Sequence, residues 1–345
     1  MNTEKFAASV SRCYPGNMAK SIETPLPEIF VLFPGSLGDF VCVLPALEVL
    51  KRASRTQRIA VAVRGQPLDL ASRIPWISSA LSLDSGVFAS LFSSSTAVNR
   101  EVAQLFSSIR RILSWFGHGF PEVRATLERF VPNGVQSFAF FKGQEKFHAC
   151  QYYLSCLGSS AISCPSLFVR DEDKKWCDTY WQSKGWKASS RILVIHPGSG
   201  GKRKRWALEG FTHVARWWRS RANRHVVILL GPAEEDEGEM WRREGIVEDS
   251  LPLWQAAALL SRTDVYAGND SGVSHLAGAV GARGAVVFGP TCPKQWRPLG
   301  GALTVVANRA CCATVSDVSD VVGISLQEVP PESVISELAL TGGIS

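Results

Sequence analysis

The sequence predicts an α/β protein made of two Rossmann-like domains in tandem. Three observations lead there. Short apolar runs such as Ile29 to Phe33 and Ile192 to Ile195 alternate with stretches of helical periodicity. Glycine-rich turns follow several of these runs and open the next helix. The alternation breaks near Arg170, where the composition turns polar, and restarts at Arg191. Strands alternating with helices of this length form parallel sheets covered on both faces. A chain of 345 residues, 46% hydrophobic and 20% charged, is long enough to bury two such cores.

Residues 1–28 read as a loosely held arm, since Lys5, Arg12 and Lys20 are mixed with Pro15, Gly16 and Pro25 and no signal-peptide core is present. The first domain is expected over 29–170. It begins with the strand Ile29 to Phe33, the turn Pro34 to Asp39 and a helix from Phe40 to Arg52, with a second strand at Ile59 to Val63. Val98 to Phe116 places Val98, Val102, Leu105, Phe106, Ile109, Ile112 and Leu113 on one side of a helix, which faces the core or touches lipid. Residues 171–190 are expected as a helix and linker.

The second domain is expected over 191–325, with strands Ile192 to Ile195, His225 to Leu230, Asp264 to Ala267 and Ala285 to Phe288. Helices are expected at Glu209 to Arg219, Glu234 to Arg243, Pro252 to Ser261 and Val273 to Gly281. Residues 326–345 read as a last helix, Val334 to Leu340, and a tail.

The formal charge of +6 is unevenly placed. Lys and Arg outnumber Asp and Glu 17 to 11 up to Arg170, and the count is 20 to 20 from Asp171 onward. The excess suits an acidic partner or an anionic membrane surface at the first domain. No apolar run reaches the length of a membrane span, which leaves peripheral attachment. Nine cysteines contain no C-x-x-C pair, so free thiols in a reducing cytoplasm are expected, without metal-ligand spacing.

In open parallel sheets ligands bind beyond the carboxyl ends of the strands, so the loops there carry the chemistry. Gly35-Ser36-Leu37-Gly38-Asp39 is not a dinucleotide fingerprint, but it sets a carboxylate at a helix N-terminus. His196 to Trp206 joins Gly198, Gly200 and Gly201 to the cations Lys202, Arg203, Lys204 and Arg205, a pattern suited to a diphosphate. Gly268 to His275 leaves a strand and opens a helix at Ser271, an anion-binding geometry. Phe288-Gly289-Pro290-Thr291 should line the same crevice.

The ordered motifs P-G-S-L-G-D-x-x-x-x-L-P-A-L, H-P-G-S-G-G-x-x-K-R-W, N-D-S-G-V-S-H-L-A-G-A-V-G and F-G-P-T-x-P-x-x-W-R-P-L-G resemble glycosyltransferase family 9, the heptosyltransferases of lipopolysaccharide core assembly. The resemblance runs from about Ile29 to Gly300. It implies a GT-B fold, with two Rossmann-like domains whose parallel sheets face each other across a cleft. It also implies inverting transfer of heptose from an ADP-sugar to a glycan or anionic glycolipid acceptor at the inner face of the cytoplasmic membrane. Neither an obligatory metal or cofactor nor a nucleic-acid partner is implied. By position, Asp39 matches the catalytic base, with Gly35, Ser36 and Gly38 as the acceptor-side loop. Ser199, Gly200, Lys204, Arg205, Glu209, Asp270, Ser271, Gly272, His275 and Pro290 would hold the donor. The chain departs from many relatives at Trp206-Ala207 and in having only Cys311-Cys312 near its C-terminus. Two rival readings use the same crevice: a sugar-nucleotide epimerase, and a binding module that keeps Lys204 and Asp270 without needing Asp39.

Overall fold

The computed structural model describes residues 28–53, 58–89, 91, 100–143, 146–160, 163–249, 251–307 and 326–343. The arm, apart from Glu28, and Cys311-Cys312 lie outside the described residues.

The first half contains strands β1 Ile29–Phe33, β2 Ile59–Val63, β3 Ile77–Ser82, β4 Arg111–Ser114 and β5 Val135–Ser137. Its helices are α1 Leu37–Ala53, α2 Pro67–Ala71, α3 Gly86–Ala89, α4 Arg100–Phe106, α5 Pro121–Phe130, α6 Ala149–Cys156 and α7 Asp171–Ser183. The second half contains β6 Arg191–His196, β7 Arg224–Leu230, β8 Ile246–Asp249, β9 Val265–Asn269, β10 Arg283–Phe288 and β11 Ala302–Ala307. The accompanying helices are α8 Leu208–Arg219, α9 Gly238–Trp241, α10 Leu253–Arg262, α11 Gly272–Ala279, α12 Pro293–Trp296 and α13 Pro331–Thr341.

All described strand pairs are parallel, in the orders β3-β2-β1-β4-β5 and β11-β10-β9-β6-β7-β8. Both orders run outward from their first strand in opposite directions, which opens a crevice at the carboxyl ends of β1 and β4 and of β6 and β9. Side chains alternate between two cores. Phe30 and Leu32 pack on one face of the first sheet, while Val31 and Phe33 join Val194, Phe288, α1, α10 and α11 in a core shared by the two halves. The outer face of the second sheet, with Leu193 and Ile195, packs on α8 and α13.

Several expectations are corrected. The single helix expected over Val98 to Phe116 is the short α4, a turn and β4, with Val98 and Asn99 outside the described residues. Arg110 and Arg111 N–H groups both donate to the Glu28 carbonyl, and β4 pairs with β1 and β5. An apolar run this short fits either period, and the open place beside β1 decides for the strand. Glu234 to Arg243 is a 3₁₀ segment, Pro232–Glu237, followed by α9. Strands β8 and β11 were not expected at all. The polar stretch after Arg170 is mostly α7, held by both halves: Asp173 pairs with Arg73 at 2.6 Å, and α7 packs on α10. Arg73 also lies 4.1 Å over the ring of Trp254. Among the described residues, no helix is long and apolar enough to cross a membrane, and six cysteines are free thiols.

Candidate active site between the two halves

The turn after β1 is shaped by what fits around Gly35. A Cβ there would come within 2.5 Å of the Phe33 ring and 2.6 Å of the Asp39 Cβ, so a side chain is excluded. Ser36 then caps the turn, its N–H and its Oγ–H both donating to Asp39 Oδ2 at 3.1 and 2.7 Å. Asp39 Oδ1 is closed off from solvent and has no hydrogen-bond partner among the described residues. Burial pushes this carboxyl above its usual range, against the opposing pull of the Ser36 bonds and the nearby Lys204 charge. A carboxylate so placed is a stronger base than a free one.

The first turns of α1 and α11 touch across the interface. A Cβ on Gly38 would sit 3.1 Å from His275 Cδ2, and one on Gly272 would sit 2.8 Å from the Leu37 Cβ. Two helix N-termini therefore meet beside Asp39, where an anion would be stabilised by both dipoles. Ser271 caps α11 by accepting from the Ser274 N–H at 3.3 Å.

Asp270 organises the second half of the site. Lys204 Nζ donates to its Oδ2 at 2.8 Å, the Thr291 hydroxyl donates to the same oxygen, and Ser199 Oγ donates to its carbonyl at 2.7 Å. Asn269 beside it accepts from the Trp206 N–H and donates to the Pro197 carbonyl, which ties the β6 loop to the β9 loop. Gly198 lies against Glu234, where a Cβ would meet a carboxylate oxygen at 2.4 Å. Gly200 has open space around it, and half-buried Pro290 adjoins Thr291.

The residues expected in the site thus separate into groups. Asp39, Gly35, Ser36, Gly38, Ser199, Lys204, Asp270, Ser271, Gly272 and His275 come together. His275 does so as a buried packing residue, with Nδ1 3.6 Å from Cys42 Sγ. Burial lowers it to about 4, so it brings no positive charge at neutral pH. Arg205 turns away from Asp270 to pair with Glu234 and Glu237 and to donate to the Ala233 carbonyl. Glu209 is exposed in the first turn of α8, on a groove shared with Thr212, His213 and Arg216. Thr291 was passed over as an individual residue, although the F-G-P-T motif contains it. Tyr153 and Trp115, in the aromatic wall behind Asp39, gave no sequence signal. Among the described residues, no group of three or more His, Cys, Asp or Glu is placed to hold a metal ion.

Residues 165–321 match glycosyltransferase family 9 (heptosyltransferase). No curated protein matches the sequence. Among solved structures, the chain is similar to a glycosyltransferase family 9 protein from Veillonella parvula DSM 2008, with a TM-score of 0.73 at 19% identity over 94% of this chain and 99% of that one. It is also similar to E. coli ADP-heptose LPS heptosyltransferase II, with a TM-score of 0.70 at 15% identity over 91% of this chain and 98% of the other. E. coli heptosyltransferase WaaC with ADP gives a TM-score of 0.64 at 14% identity, over 91% and 99% of the two chains. The chain has the GT-B fold of these heptosyltransferases, and its residues 165–321 match the model of glycosyltransferase family 9.

Proposed function

We propose that the protein is an inverting glycosyltransferase that moves a sugar, heptose by its likeness to the neighbouring structures, from an ADP-sugar to a lipopolysaccharide-core or related glycan acceptor. The observation that carries the reading is the meeting of Asp39, from the turn after β1, with the Lys204–Asp270 pair and the α11 N-terminus of the other half. The acceptor hydroxyl gives its proton to Asp39 as its oxygen bonds to the anomeric carbon. The bond from that carbon to the β-phosphate oxygen breaks on the opposite face, and ADP departs. Lys204 and the N–H groups opening α11 stabilise the charge that grows on the diphosphate. Asp270, itself braced by the Thr291 hydroxyl, holds Lys204 in place before the donor arrives, so less side-chain order is lost on binding.

The cationic excess of the first half suits an anionic glycolipid acceptor and the cytoplasmic membrane face carrying it. Co-sedimentation with anionic liposomes should weaken as salt rises, and binding indifferent to salt would remove that part of the reading.

The direct test compares ADP, UDP and GDP for thermal stabilisation and then measures transfer from ADP-heptose to a lipopolysaccharide-core oligosaccharide. ADP should raise the melting temperature most, and transfer should be measurable. Stabilisation without turnover would favour a nucleotide-sugar binding module. Preference for another base would redirect the donor assignment.

A further inference from the structure

Asp39 backs onto an aromatic wall from the first half. Phe33, whose ring shares the space at Gly35 with Asp39, is edge-on to Tyr153 and to Trp115 with ring centres 5.4 and 5.8 Å apart. Tyr153 comes from α6, which packs along α1, and meets Trp115 edge-on at 5.8 Å and Phe140 at 6.3 Å. Phe40, Phe138 and Phe141 complete the cluster.

Within it, Tyr153 is fully buried, and among the described residues its hydroxyl has no hydrogen-bond partner. A phenylalanine would fill the same place, as it does around it, without enclosing an unsatisfied O–H. Packing therefore does not account for the oxygen. Burial and the Asp39 charge both hold the phenol in its neutral form, so it is an O–H donor with nothing to donate to. Asp39 Oδ1 is an enclosed acceptor with nothing to accept from, and Trp115 Nε1 is a second unpaired donor in the same wall. A group that complements the first two must accept one hydrogen bond and donate another, which is what a sugar hydroxyl does.

Resting on the transferase reading above, we propose that the Tyr153 hydroxyl binds the acceptor's attacking oxygen and orients it for Asp39. The acceptor O–H donates to Asp39 Oδ1. One lone pair of its oxygen accepts from the Tyr153 O–H, and the other is left to attack the anomeric carbon. As the new C–O bond forms, the proton passes to Asp39 and the electrons of the breaking bond leave with ADP. Tyr153 keeps its own proton throughout.

Tyr153→Phe removes the oxygen and little else. Folding stability should be unchanged or raised, ADP affinity by calorimetry should stay within about twofold, and kcat/KM for a lipopolysaccharide-core oligosaccharide should fall about tenfold or more. Wild-type kcat/KM in the variant would overturn the inference while leaving the proposed function standing. A lowered melting temperature with parallel losses in ADP and acceptor affinity would also overturn it, by making the hydroxyl structural. Wild-type protein that binds ADP but transfers nothing would overturn the function itself, and this inference with it.

Discussion

The loop after β1 and the loops after β6 and β9 occupy equivalent ends of two sheets with related strand order, yet they are furnished in opposite ways. Around Asp270 polar groups bind one another: Lys204, Thr291, Ser199 and, one residue back, Asn269 all have partners. Around Asp39 the wall is aromatic, and Asp39 Oδ1, Tyr153 OH and Trp115 Nε1 are enclosed and unpaired among the described residues. The first arrangement is organised before any ligand arrives. Under the inference drawn above, the second is completed only when a hydroxyl enters. Under the proposed function the difference follows from the two tasks: a diphosphate gripped whatever sugar it carries suits fixed cations and dipoles, whereas a base must hold its proton acceptor free until the nucleophile is present.

The comparison breaks most visibly at Asp39. Asp39→Asn keeps an oxygen for the Ser36 donors but cannot take a proton, so turnover should fall about 10²- to 10⁴-fold with ADP affinity intact. Transfer rate and calorimetry on the same preparation check this, and near-wild-type turnover would leave Asp39 as a helix cap. Arg205 provides the next contrast, since it neighbours Lys204 but belongs to a different network. Arg205→Ala strands Glu234, only 3% exposed, and should cost about 3 kcal/mol of stability in urea denaturation. Lys204→Ala should instead leave the fold in place and weaken ADP binding by about 1–3 kcal/mol in calorimetry. Equal ADP affinities in this variant and wild type would remove Lys204 from the donor site.

The smallest effects appear with pH. Burial lowers both His196 and His275 to about 4, so the unfolded chain binds protons that the folded one refuses as pH falls from 6.5 toward 4. Stability from these two groups is present above that window and lost within it. Asp39 acts in the other direction, because its carboxyl is raised above 3.8. Its contribution favours the folded state at low pH and is lost as pH climbs through the raised value. The stability of Asp39→Asn relative to wild type should therefore grow from pH 4 upward and then level off. Urea titrations of both proteins between pH 4 and 7 would show the gap, and a gap independent of pH would mean an unperturbed Asp39.

Much of the fold was legible because parallel strands buried on both faces read as continuous apolar runs, as in IFVLF of β1 and IAVAV of β2. Asp39 was legible because a carboxylate in the first turn after a glycine-rich loop has a position defined by local backbone alone. Strand β4 was not, since Arg111–Ser114 becomes a strand only through pairing with β1 and β5. The edge strands β8 and β11 escaped notice for the same reason.

The sequence by itself determined the α/β alternation, the glycines that let backbone and side chains crowd together at Gly35 and Gly38, and the placing of one acid and one cationic loop at strand ends. Only the tertiary structure decided their partners. Lys204 and Arg205 are adjacent and alike in charge, yet Lys204 ends a 3₁₀ turn that delivers it to Asp270, 66 residues away, while extended Arg205 reaches Glu234 and Glu237. Tyr153 gained its place behind Asp39 only when α6 packed along α1. Local spacing dictates backbone shape over a few residues, but which long-range side chains meet depends on how sheets and helices stack, and that information is spread over the whole core.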